Sequence, residues 1–133
     1  TVKPIQDSNL GFASEQWMNS ESVEFIRSTE KEIKIYSNGA NVLAFLTDNR
    51  VPYYQIPVKY NPATTQVNPK YFDQMEIMCK EVHDNGALLV FFFSESIQRD
   101  YLPNQEELDS FCRMPVYREF PDSIVFFSDL EKT

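Results

Sequence analysis

The run Ala87–Phe93, Ala-Leu-Leu-Val-Phe-Phe-Phe, constrains the fold more than any other part of the sequence. A strand with one face in water alternates apolar and polar side chains. Seven apolar residues without alternation need cover on both faces. Asn85-Gly86 before the run ends a helix through a left-handed residue, so the run starts fresh as a strand of about 87–93. A strand buried on both sides belongs at the centre of a sheet with helices on each face. That predicts a layered α/β domain.

The rest of the chain supplies the layers. Ile33, Ile35 and Tyr36 make a second strand, about 33–37, and a parallel pair of this strand with 87–93 is expected at the sheet centre. Val42, Leu43, Phe45 and Leu46 put an apolar stripe on a helix over about 40–48. Tyr54, Ile56 and Val58 alternate, but Pro52 and Pro57 interrupt them, which leaves a weak edge strand over 53–58. Asn68 followed by Pro69 reads as N-cap and first helical residue of a helix that runs to Asp84. Tyr71, Met75, Met78 and Val82 form its inner face. Asn104 and Glu107 have capping-box spacing ahead of Leu108, Phe111 and Cys112. The runs 116–120 and 124–128 around Pro-Asp-Ser make an antiparallel hairpin, expected on the far side of the sheet. Asn19 is expected to cap a first helix whose buried side is Trp17, Val23, Ile26 and Phe25. Residues 1–18 have no period and read as an extended lead-in. Residues 19–133 read as one α/β domain with a mixed sheet.

Charge excludes some partners. The net charge is −8, with no Lys/Arg cluster, so the basic footprint of a nucleic-acid binder is missing. An anionic membrane surface would repel the chain. No apolar run has the roughly 18–20 residues that span a bilayer. Cys79 and Cys112 fall on apolar helical faces, and two buried free thiols are expected, with a disulfide as the alternative. One His and no Cys-x-x-Cys leave no zinc pattern, so neither metal nor cofactor is expected.

The strand–turn–helix corner at Ser37-Asn38-Gly39 has the shape of an anion site. It has one glycine where the dinucleotide fingerprint needs three, and no P-loop lysine. Turn and cap chemistry explain the same residues, and Asn38 is expected to cap the following helix. No Gly-x-Ser-x-Gly elbow exists. His83 sits at a helix end, where the dipole favours it. Glu106, Glu107 and Asp109 belong to a helix first turn. No catalytic residue is expected. Tyr36, Ser37, Asn38 and Tyr101 are the candidate binding residues, with convergence of Tyr36, Asn38 and Tyr101 in one cleft as the deciding geometry.

Gly11, Phe12, Ala13, Trp17 and Ser22 match, in order, a segment that follows the last membrane helix in a group of bacterial multi-spanning glycosyltransferases. The order continues with Tyr36-Ser37-Asn38, then Leu46-Thr47 and Arg50, then Pro57. Asn85-Gly86 before the Ala87–Phe93 strand, Tyr101-Leu102-Pro103 before an acidic helix, and Pro121-Asp122-Ser123 before Ile124 complete it. The group is related to the dolichyl-phosphate-mannose–protein mannosyltransferases. The chain departs from it at Gly39-Ala40-Asn41, at Asp48-Asn49 where the group often has Gly, and at Ser123 in place of Gly. The resemblance implies a C-terminal, non-catalytic, extracytoplasmic domain of a membrane-bound glycosyltransferase with a lipid-linked sugar donor. Residues 1–18 would follow its last membrane helix, and the missing initiator methionine fits an excised piece. The implied partners are the membrane-embedded portion of the same polypeptide and a glycan or lipid-linked sugar. The catalytic acids would lie in that membrane portion. The alternative expectation is a free-standing cytosolic α/β protein that binds a small anion at Ser37–Gly39.

Overall fold

The structure is a computed structural model that describes residues 20–29, 31–95, 97–113 and 115–128. The expectations for Asn19, Trp17 and the lead-in lie outside the described residues. In chain order the elements are α1 (Glu21–Ser28), β1 (Ile35–Ser37), α2 (Ala40–Leu46), β2 (Tyr53–Gln55), α3 (Tyr71–Asp84), β3 (Leu88–Phe92), α4 (Gln105–Cys112), β4 (Val116–Phe120) and β5 (Ser123–Phe126). The five strands form one mixed sheet in the order β2-β1-β3-β5-β4. β1 is parallel to β2 and to β3, while β5 is antiparallel to both β3 and β4.

β3 is the central strand, as its unbroken apolar run requires, and all five of its residues are buried. Its side chains divide by parity. Leu89 and Phe91 join Met75, Met78, Val82, Leu102 and Leu108, the layer built by α3, α4 and the loop between β3 and α4. Leu88, Val90 and Phe92 join Val23, Ile26, Val42, Leu43 and Ile97 on the opposite face, under α1 and α2. The hairpin strand β5 splits the same way, with Ile124 and Phe126 in the first layer and Val125 in the second.

Local chemistry sets the ends of the elements. Ser20 caps α1, accepting from the backbone N–H groups of Ser22 and Val23. The capping box of α4 forms in full between Asn104 and Glu107. Helix α3 starts later than the Asn68-Pro69 pair predicts. Lys70 holds the cap position without a side-chain bond, while Asn68 Oδ1 accepts from Lys70 N at 3.0 Å and its amide donates to Val58 O at 2.8 Å and to Gln74 Oε1 at 2.9 Å. Gly86 stops α3 in the left-handed region, at φ 74°. Asp48 and Asn49 follow α2, both at φ 57°. Short polar side chains tolerate that region better than other non-glycine residues, which explains the pair at this turn.

One expectation is corrected. Cys79 is disulfide-bonded and is not a free thiol. The side chain of Cys112 lies outside the described residues. An apolar helical face reads alike for a buried thiol and a bridged one, since only spatial separation decides between them.

Candidate functional site

Two neighbouring parallel strands, β1 and β3, send the chain in opposite directions. From β1 it enters α2 on one face, and from β3 it runs through a loop to α4 on the other. Such a reversal opens a crevice at the carboxyl ends of the strands, where open α/β sheets bind ligands. A crevice of about 290 Å³ lies there. Asn38 and Gly39 come from the end of β1, Asn41 and Val42 from the first turn of α2, and Gln55 from the end of β2. Ile97, Arg99, Tyr101 and Leu102 come from the loop after β3.

Asn38 does not cap α2, contrary to expectation. Gly39 occupies the cap position and no side chain bonds the turn from there. The Asn38 side chain instead pairs with one residue of β3. Its Nδ2 donates to Phe92 O at 3.0 Å, and its Oδ1 accepts from Phe92 N at 2.8 Å. The amide thus imitates a peptide unit and continues the β1–β3 ladder beyond Ser37. The neighbouring groups are equally committed. Ser37 Oγ accepts from Gly39 N at 2.9 Å, Gln55 Oε1 accepts from Ala40 N at 3.2 Å, and Gln55 Nε2 donates to Asn38 O at 2.9 Å. The amides that an anion at Ser37–Gly39 would use are therefore taken by the protein's own side chains. Gly39 is needed for close approach rather than for phosphate. A Cβ there would sit 3.2 Å from both Ile97 and Phe92 side-chain carbons.

Asn38 and Tyr101 line the crevice together. Ser37 is fully buried beneath it. Tyr36 points to the other face, among Met75, Met78 and Leu89, and its hydroxyl donates to Glu81 on α3. Glu81 also pairs with Lys34 at 3.0 Å. Burial and the Glu81 bond push the Tyr36 hydroxyl up to about 12. Burial pushes the Glu81 carboxyl up, but the bonds from Tyr36 and Lys34 outweigh it and hold the group below the usual carboxylate range. This triad ties β1 to α3 and is remote from the crevice lining. Gln55, Asn41 and Arg99 belong to the crevice and were not predicted. The signal for them was the expected β1–β3 adjacency, which places the ends of both strands at one opening.

A second polar joint links distant segments. Asp122, in the β4–β5 turn, accepts from Ser20 Oγ at 2.6 Å and from Ser22 Oγ, and Ser22 and Ser123 hydroxyls meet at 2.6 Å. Ser22 and Ser123 are fully buried. Among the described residues no histidine joins these serines, whose hydroxyls bond Asp122 and one another. Asp122 therefore fastens the start of α1 to the hairpin.

Among the described residues, no cluster of three or more His, Cys, Asp or Glu side chains is placed to hold a metal ion. No described helix is long and apolar enough to cross a membrane. Comparison with protein-family models, with curated proteins and with solved structures finds no match.

Proposed function

We propose that the chain is a non-catalytic extracytoplasmic domain of a membrane-bound glycosyltransferase-like protein with a lipid-linked sugar donor. Its main partner is the membrane-embedded portion of the same polypeptide. The observation that carries this reading is the position of the residues that resemble that group. Ser22 bonds Asp122, Asn38 bonds the end of β3, and Tyr36 bonds α3. Each is a tertiary joint between segments far apart in sequence. Residues that match the group at such joints support a common architecture, and they leave the chemistry to another part of the protein.

The disulfide at Cys79 supports the same reading, because such bonds persist in oxidising compartments. The test is the full reading frame together with a topology reporter fused after residue 133. Membrane spans upstream and a reporter active only outside the cytoplasm are expected. A frame without spans before this segment, or a reporter active in the cytoplasm, sinks the reading.

A further inference from the structure

We propose that the crevice at the ends of β1 and β3 binds a small organic anion, a phosphate or carboxylate on a compact polar body, through Arg99. The proposal does not depend on a membrane parent. Of the nine described residues that line the crevice, Arg99 is the single charged one and no acid is among them. That is a local exception in a chain of net charge −8. Asp100 lines an adjacent groove that Arg99 and Lys59 also border, and Glu107 is paired with Lys59 at 3.1 Å.

The lining is prepared for a ligand that enters from the open side. Asn38 and Gln55 are held by their bonds to backbone, so their amides do not have to be ordered on binding. Val42, Ile97 and Leu102 form apolar walls, and Asn41 and Tyr101 add polar contacts. Arg99 Nη1 donates to the Gln98 carbonyl at 2.9 Å and lies 3.5 Å from that of Glu95, which anchors the side chain to its own loop. A guanidinium carries five N–H donors, so these two carbonyls leave at least three for a ligand. Its planar fork grips a carboxylate or phosphate with two parallel bonds. The volume, about 290 Å³, is at the low end for ligand pockets and suits a ligand of few heavy atoms. The anion site thus belongs to the loop after β3 and not to the Ser37–Gly39 turn.

The experiment is a titration of the ¹⁵N-labelled protein with inorganic phosphate, acetate and glucose, followed by NMR. Saturable shifts of the Asn38 side-chain amide and the Gly39 N–H are expected with phosphate or acetate below about 10 mM. Glucose, which is neutral, should give weaker shifts. Arg99→Ala should weaken anion binding by about tenfold or more, and Arg99→Lys by less, because it keeps charge without the fork. Lys70→Ala, which removes an exposed cation away from the crevice, should leave binding unchanged. Arg99 is exposed, so its variants should keep the parent's peak dispersion. Absence of saturable shifts overturns the proposal. So do equal anion affinity in Arg99→Ala and glucose binding as tight as phosphate.

Discussion

Asn38 shows how much one side chain can do when it stands in for backbone. It is buried, and both of its functional groups bond Phe92. Truncation removes both hydrogen bonds to the buried Phe92 backbone. A buried hydrogen bond contributes about 0.5–1.5 kcal/mol net, so Asn38→Ala should destabilise the fold by about 1–3 kcal/mol in urea unfolding. Asn38→Asp discriminates the cause. The carboxylate still accepts from Phe92 N–H, but its second oxygen faces the Phe92 carbonyl, so this near-isosteric change should cost as much as Ala. A loss under about 0.5 kcal/mol for both would mean that the ladder does not need the extension. The polar turn identified Asn38 as a special position, but a cap and a mock peptide ask for the same residue. Choosing between them needs the location of β3, 54 residues away.

At the scale of elements, apolar periodicity located the helices and strands well, while their ends depended on distant groups. The helix after Ala40 and the Asn104 capping box are local, and both formed where the spacing put them. Asn68 ties the start of α3 to Val58 from two residues before the cap, and the amide of Ala40 was satisfied by Gln55 of a neighbouring strand. Cys79 is the sharper case, since its place on the inner face of α3 was legible and its bond was not. A native bridge in a small domain contributes about 2–4 kcal/mol, chiefly by restricting the unfolded chain. Thiol reductant should therefore lower the thermal midpoint of the native protein. Cys79→Ser should start at a lower midpoint and be insensitive to reductant. Equal midpoints with and without reductant, once thiol counting confirms reduction, would show that the bridge has no part in stability.

For the whole molecule, the two-faced burial of Ala87–Phe93 determined the layers, and the hairpin could only extend the sheet beyond them. The crevice was harder to see because Gln55, Arg99 and Asn41 follow no spacing rule. They become neighbours through strand order. The layers are also joined by groups that titrate, which makes global stability respond to pH at both ends. Tyr36 is raised to about 12 from an ordinary 10. A raised folded value means that the stabilisation is complete below the unfolded value and is lost as pH rises through the folded one, here between about pH 10 and 12. Lys34, raised by its bond to Glu81, is lost in the same direction at still higher pH than an unpaired lysine. Glu81 and Glu107 are both held below the ordinary carboxylate value, so their contribution is present above it and is lost as pH falls through the folded values. Stability should form a plateau through neutral pH with an acid limb and an alkaline limb. Tyr36→Phe separates the limbs. It removes the phenol that resists ionisation, so the alkaline limb should flatten between about pH 10 and 12. It also removes the hydroxyl that donates to Glu81, so the folded value rises towards the unfolded one and the acid limb should become shallower and end at higher pH. Urea midpoints collected from acid to alkaline pH for both proteins measure this. An alkaline limb as steep in Tyr36→Phe as in the parent would assign the loss to groups other than the β1–α3 joint.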